Sequence, residues 1–264
     1  MTLSIYQLDA FADKLFSGNP AAIVPLDKWI SDDLMQKIGM ENNLAETAFF
    51  VPSAKGEGHF DIRWFTPASE INLCGHATLA SAHVLYHYLQ FNAPSITFHS
   101  KSGPLFISRK GDMIFLDFPS WMPERVDVYP HEILKSIGNP EIAGVYKNRD
   151  YIVELMDETA VKMCKPDFTL MKTVRDNVII TAPGKDADFV SRFFAPAIGI
   201  DEDPVTGSAH SQLIPFWSNK LGKMNMTANQ LSQRGGSVVC EQKGDRVIMG
   251  GRCVFYMKGE IAIS

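Results

Sequence analysis

The stretch Phe60-Asp61-Ile62-Arg63-Trp64-Phe65-Thr66-Pro67-Ala68, followed by Cys74-Gly75-His76-Ala77, recurs in altered form later in the chain. The second copy reads Phe189-Val190-Ser191-Arg192-Phe193-Phe194-Ala195-Pro196-Ala197 and then Thr206-Gly207-Ser208-Ala209. A third block precedes each pair in the same order, Phe49-Phe50-Val51-Pro52 in the first copy and Ile179-Ile180-Thr181-Ala182-Pro183 in the second. Phe65 to Phe194 is a step of 129 residues and Gly75 to Gly207 a step of 132, both close to half of the 264-residue chain. Internal repetition on this scale means that one structural unit is built twice, with a three-residue insertion in the second.

Each copy carries the same physical plan. A β-rich strand turns at a proline, a second strand ends in Phe-x-Pro-Ala, and a polar loop leads to a Gly-x-Ala step that opens a helix. The helix predicted from Gly75 to Leu89 begins Ala77-Thr78-Leu79-Ala80-Ser81-Ala82, which has no polar face and must be buried on every side. A second helix is predicted over Gly207–Leu221, bent or interrupted at Pro215. Asp32–Gly39 and Pro130–Ile137 read as outer helices. Strands are predicted at Ser4–Phe11, Ala21–Pro25, Ile96–Ser100, Leu105–Arg109, Met113–Phe118, Asp150–Leu155, Val178–Thr181, Val238–Gln242, Arg246–Gly251 and Val254–Ser264. Hairpin turns fall at Lys110-Gly111-Asp112 and Lys243-Gly244-Asp245. The expected fold is therefore α+β: two similar lobes, each a curled mixed β-sheet around a central helix, related by a pseudo-two-fold axis. The N-terminal lobe is expected to take residues 1–119 plus about 254–264 and the C-terminal lobe 120–253, with the active site in the cleft between them.

Composition narrows the function. Hydrophobic residues make up 45% and charged residues 21%, the balance of a folded globular chain, and the net charge is −5 without a run of five like charges. This argues against nucleic-acid and membrane-surface binding, both of which draw on concentrated positive charge. No run approaches 18 apolar residues, and the opening Met1–Asp9 lacks a basic leader, so a cytoplasmic protein is expected. The cysteines Cys74, Cys164, Cys240 and Cys253 form no C-x-x-C pair and are expected to stay reduced. His83 and His87 share a helix face, but no third ligand is evident and no metal is expected there. Neither a Rossmann fingerprint nor a P-loop occurs.

The candidate site lies where the repeats open their buried helices. Free backbone N–H groups at Gly75–Ala77 and Gly207–Ala209 would bind an anion such as a substrate carboxylate. The glycines serve either that close approach or tight helix–sheet packing. Cys74, at the loop-to-helix junction, is expected to have its thiol acidified by those N–H groups. Glu46, in Asn43-Leu44-Ala45-Glu46-Thr47-Ala48-Phe49, is enclosed by apolar residues, the setting of a general acid/base. His76 follows the first helix-opening glycine, Ser208 is its counterpart in the second copy, and Asp203 precedes Pro204.

At these positions the sequence resembles the phenazine-biosynthesis PhzF-like proteins, relatives of diaminopimelate epimerase. The matching segments are Asp9-Ala10-Phe11, Phe16–Ala22, Asn43–Thr47, Arg63–Ala68, Leu73–Thr78 and Glu202–Ala209, spread along both halves. The resemblance implies the two-lobed diaminopimelate-epimerase-like fold, an isomerase-type acid/base site, no cofactor and, as in many such proteins, a homodimer. It assigns catalysis to Glu46, His76, Asp203 and Ser208. Cys74, Gly75, Ala77, Thr206, Gly207 and Ala209 would contact the substrate, a small-molecule carboxylate. A two-thiol epimerase would need Cys74 and a second Cys. Thr206 stands in that second place, and its sequence neighbours supply no evident base. The expected activity is a cofactor-independent isomerase moving a proton, by double-bond shift or tautomerisation. An amino-acid-type racemase or epimerase, and a non-catalytic binder of a small acid or a protein partner, remain the alternatives.

Overall fold

The structure is a computed structural model, and it describes residues 1–263. Two compact units divide the chain, Met1–Phe118 together with the chain from Gly250, and Pro119–Met249.

In the first unit the elements run β1 (Thr2–Ala10), β2 (Asn19–Pro25), α1 (Asp32–Asn42), β3 (Glu46–Pro52), β4 (His59–Phe65), β5 (Glu70–Ile71), α2 (Gly75–His87), β6 (Ser95–Ser100), β7 (Gly103–Lys110) and β8 (Met113–Pro119). The second unit contains β9 (Glu124–Arg125), α3 (His131–Ser136), β10 (Ile142–Lys147), β11 (Tyr151–Leu155), α4 (Glu158–Met163), α5 (Phe168–Met171), β12 (Val178–Pro183), β13 (Phe189–Ala195), β14 (Ile200–Asp203), α6 (Gly207–Leu221), β15 (Asn225–Gln230), β16 (Gly236–Lys243) and β17 (Arg246–Gly251). The chain then contributes β18 (Cys253–Ala262) to the first unit.

The strand pairings demonstrate the duplication. Along β18-β1-β2-β3-β4-β6-β7-β8 the partners run antiparallel, antiparallel, parallel, antiparallel, parallel, antiparallel, antiparallel. Along β9-β10-β11-β12-β13-β15-β16 the first six of these steps recur in the same order, and β16 turns into β17 at Gly244–Asp245. Each unit is thus a mixed sheet whose two parallel steps bracket one antiparallel pair. An ion pair repeats with it. Arg63 on β4 grips Glu70 through Nε and Nη2, both at 2.8 Å, and lies 5.2 Å from the Phe65 ring. Arg192 on β13 grips Glu202 at 2.7 and 2.9 Å and lies 5.1 Å from the Phe194 ring. A planar guanidinium matches a carboxylate in two parallel bonds, so this pair ties each central strand to the short strand, β5 or β14, that precedes each buried helix.

That helix packs inside each sheet. In α2, Ala77, Leu79, Ala80, Ala82 and Val84 have no solvent exposure, as a helix lacking a polar stripe requires. It lies against β1, β2 and β3, while α1 places Met35 and Ile38 in a separate core with Val24, Phe49, Val51 and Phe65. Covered on both faces, β2 and β3 are buried along almost their whole length rather than on alternate residues. In the second unit α3, α4 and α5 supply Ile133, Val161 and Met171 to the core formed with Val153, Val178, Ile180 and Phe194.

Helix α6 is not interrupted at Pro215. Proline cannot donate to the carbonyl four residues back, and the carbonyl of Ser211 instead accepts the Trp121 N–H at 2.8 Å. The expected extension of α2 to Leu89 ends at His87, because Leu89 N–H bonds back to the Val84 carbonyl as the chain leaves the helix. Ser264, included in the last expected strand, lies outside the described residues. The strands β10 and β15 and the short helices α4 and α5 had no reading in the sequence, since each is too short or too polar for its period to stand out.

Candidate active site

Four buried polar side chains converge where β2, β3 and α2 begin. Asn19 and Glu46 are the first residues of the parallel neighbours β2 and β3, with Ala21 opposite Glu46. Cys74 caps α2 and His76 is its second residue. Two backbone devices bring Asn19 into place. Asp9 Oδ2 accepts the Phe16 N–H at 2.9 Å across the base of the loop between β1 and β2. Gly18 takes a φ of 68°, and a Cβ there would meet the Ala10 carbonyl oxygen at 2.2 Å, so no other residue fits.

The imidazole of His76 is 4% exposed and has a different partner on each nitrogen. Glu46 Oε2 lies 3.0 Å from Nε2, close enough for an ion pair but off the line of a hydrogen bond. Asn19 Nδ2 lies 3.1 Å from Nδ1. The Cys74 sulfur is 3.5 Å from Nδ1 and 4.0 Å from Nε2. An atom on the in-plane lone pair of one ring nitrogen is far from the other, so these similar distances put the sulfur over the face of the ring.

The electrostatics follow from this packing. Burial alone lowers the pKa of His76, but the Cys74 sulfur and the Glu46 carboxylate beside it outweigh that and push it well above its ordinary value. Burial, reinforced by the charge of Glu46, pushes the Cys74 thiol up to about 11. The expected acidification of Cys74 is therefore reversed: its sulfur is enclosed, and desolvation of a thiolate outweighs the first-turn N–H groups.

Glu46, Cys74 and His76 are also, among the described residues, a group whose ligand atoms lie within 4.8 Å of one another. The ring geometry opposes a shared metal ion, because a sulfur over the imidazole face and a carboxylate at Nε2 do not converge on one in-plane lone pair. His83 and His87 stack at 4.2 Å between ring centroids. Burial, with the like charge of His87, pushes His83 down to about 4.

The second unit has a corresponding centre at the start of α6. Thr206 caps this helix with extended backbone angles, as Cys74 caps α2. The fourth residue of each helix bonds back to its cap: Thr78 Oγ1 to the Cys74 carbonyl at 2.5 Å, and His210 Nδ1 to the Thr206 carbonyl at 2.8 Å. The sequence left Thr206 without a base, and the structure corrects this: its hydroxyl donates to Asp203 Oδ2. Gln230, fully buried at the end of β15, accepts the Thr206 N–H at 2.9 Å and donates to the Asp203 carbonyl at 2.7 Å. Ser208 is half-buried on the first turn, and Gly207 and Ala209 are buried beside it. Asn19 and Gln230 were missed as site residues. Asn19 lay within the matching segments, but only the pairing of β2 with β3 places it at His76, and nothing near Gln230 in sequence points to Asp203.

The doubled sheet, with a buried helix in each unit, defines an epimerase-type fold, and its first unit carries a buried cluster of Asn19, Glu46, Cys74 and His76. A hydroxyproline epimerase from Agrobacterium vitis has the same fold at a TM-score of 0.68 over 99% of this chain and 93% of that one, with 9% identity. The family model for phenazine biosynthesis-like proteins matches residues 8–259, and the chain belongs to that PhzC-PhzF family. The crystal structure of a PhzF family protein from Enterococcus faecalis superposes with a TM-score of 0.95 at 44% identity, covering both chains in full. An uncharacterized isomerase of Pseudomonas aeruginosa is 45% identical over 262 residues, 99% of each chain. These relatives support an isomerase at the level of activity class. No helix among the described residues is long and apolar enough to cross a membrane.

Proposed function

We propose that the protein is an isomerase that moves a proton within a small carboxylic acid, shifting a double bond or tautomerising it, without a cofactor. Glu46 takes a proton from a substrate carbon, the C–H electron pair moves into the shifted π system, and the same carboxyl returns the proton to another atom on that face. One observation carries this reading. Glu46 is 7% exposed and lies 3.0 Å from His76 Nε2, yet is not aligned to it in a hydrogen bond, which leaves the oxygen a lone pair to offer a substrate proton. His76 lies beside this carboxyl and orients it. The N–H groups of Gly75, His76 and Ala77 at the start of α2 receive the substrate carboxylate, with Cys74 packed alongside. Positioned proton transfer of this kind is worth roughly 10²- to 10⁴-fold in rate.

The second unit enters as a companion proposal. Within that unit Asp203 accepts the Thr206 hydroxyl and acts as an acid/base or orienting group, and Gly207, Ser208 and Ala209 offer a polar group its own binding position. The epimerase alternative draws support from the hydroxyl–carboxylate pair at Thr206, but Cys74, protonated and set over the imidazole face, is poorly disposed to act as its first base. The test is deuterium uptake from heavy water into a panel of cyclic and acyclic carboxylic acids, followed by mass spectrometry or NMR. Exchange is expected with the native protein and loss by at least about 10²-fold in Glu46→Gln with ligand binding retained. Equal exchange in the variant removes Glu46 from the mechanism, and uptake at an α-carbon lost in Cys74→Ala replaces this reading with an epimerase.

A further inference from the structure

The Thr206–Asp203 pair of the second unit leans on a side chain with no assigned role. We propose that Gln230 is the positioning residue of this centre, and that its amide holds the Thr206 hydroxyl on Asp203. This rests on the companion reading of Asp203 as an acid/base or orienting group.

Gln230 ends β15 and is fully buried. Its backbone is held on both sides, opposite Ser191 of the parallel strand β13 and opposite Gly236 of the antiparallel strand β16. From there the amide reaches the turn that leads into α6. Oε1 accepts the Thr206 N–H at 2.9 Å, while Nε2 donates to the Asp203 carbonyl at 2.7 Å and to Thr206 Oγ1 at 3.2 Å. The partners decide which end of the amide is which, because a backbone N–H only donates and a carbonyl only accepts. Turning the amide over would set its NH2 against the Thr206 N–H and its oxygen against the Asp203 carbonyl. Two buried groups would lose their bonds, so the side chain keeps one orientation.

That orientation has a consequence for the hydroxyl. A threonine hydroxyl has one proton to give and two lone pairs to receive with. Nε2 donates to Oγ1, which closes that side to the hydroxyl's own proton, and the proton goes to Asp203 Oδ2. Other side chains grip the same turn only through its backbone. Ser232 Oγ donates to the Pro204 carbonyl at 2.9 Å, and His210 Nδ1 donates to the Thr206 carbonyl at 2.8 Å. Gln230 touches both the backbone and the hydroxyl, and so joins the shape of the turn to the direction of the proton.

The test follows the Thr206 hydroxyl proton by NMR in the full-length protein and needs no substrate. In the native protein this proton is expected to give a resolved signal and to exchange slowly with water. In Gln230→Met its exchange is expected to quicken at least about tenfold. Met226→Ala is the control, since Met226 is buried on the same strand and takes no side-chain part in these hydrogen bonds. An unresolved native signal or an unchanged rate in Gln230→Met overturns the proposal. Equal quickening in both variants does so too, because a residue acting only through the fold would give that result. Should Gln230→Met fail to fold, Gln230→Glu replaces it: a carboxyl keeps an acceptor for the Thr206 N–H but cannot make both donations, and an unchanged rate there overturns the proposal as well. The role of Asp203 is judged separately. With an acid that exchanges deuterium on the native protein, Gln230→Met is expected to slow the exchange at least about tenfold with ligand binding retained. Undiminished exchange beside a loosened hydroxyl upholds the positioning role and overturns only the companion reading.

Discussion

A thiol on the first turn of a helix ordinarily gains acidity from the amide N–H groups there. Cys74 occupies that position and has the opposite character, because its sulfur is enclosed and the Glu46 charge lies nearby. With the thiol pushed up to about 11, Cys74 in the folded protein is expected to alkylate with iodoacetamide at pH 7.5 at least about a hundredfold more slowly than a free thiol, and faster as the pH is raised toward 11. Intact-mass kinetics check this, and rapid labelling of Cys74 at pH 7.5 would mean the site is more open than its burial indicates. The residues assigned from the sequence as catalytic in the first unit, Glu46 and His76, are neighbours in space although 30 positions apart. The sequence singled them out as candidates because each sits beside a local signal, an apolar strand for Glu46 and a helix-opening glycine for His76, within segments that resemble the family. The partner on the far side of His76 was not legible as such, since only the pairing of β2 with β3 brings Asn19 to the ring.

Both buried helices carry a histidine whose pKa is pushed down to about 4 by burial, His83 in α2 and His210 in α6. A histidine kept neutral by the fold binds its proton less readily than the unfolded chain does. The stability it contributes is therefore complete above an unfolded pKa of about 6.5 and is lost as the pH falls toward 4. For His210, which has no solvent exposure, the loss reaches roughly 2 kcal/mol by pH 5. Urea unfolding at pH 7 and pH 5 is expected to show this loss in the native protein and a smaller one in His210→Gln. An equal pH dependence in the two would place the acid sensitivity elsewhere. The α6 helix also shows how an element survives a breaker. Pro215 leaves the Ser211 carbonyl without its helical donor, and the Trp121 N–H takes its place. Pro215→Ala is accordingly expected to change stability by less than about 1 kcal/mol in thermal or chemical unfolding, far below the usual gain from removing a mid-helix proline.

Over the whole molecule, the repeat reaches down to single ion pairs. The Arg63–Glu70 and Arg192–Glu202 pairs are equivalent, but Arg192 also donates from Nη1 to the carbonyls of Val161 and Cys164, at 3.3 and 2.7 Å. Arg63 instead spends its Nη1 on the exposed Asp32. Replacing Arg192 by Met strands a half-buried carboxylate and two carbonyls, whereas replacing Arg63 strands a half-buried carboxylate that keeps Lys101. Thermal denaturation is expected to show the larger loss in Arg192→Met, and the reverse order would remove the extra carbonyl contacts from the account. The doubled architecture could be read without coordinates because a buried helix with no polar face and a strand ending in Phe-x-Pro-Ala leave periodic traces that survive divergence. The candidate residues Glu46 and His76 could be singled out in the same way, each tied to one of those traces. Which strands pair in parallel, that Cys74 is sealed and weakly acidic, that Asp203 supplies the base of Thr206, and that Asn19 and Gln230 stand behind the two centres were not readable. Each depends on groups far apart along the chain being brought within a few ångströms, where desolvation and direct hydrogen bonding outweigh anything a residue's immediate neighbours impose.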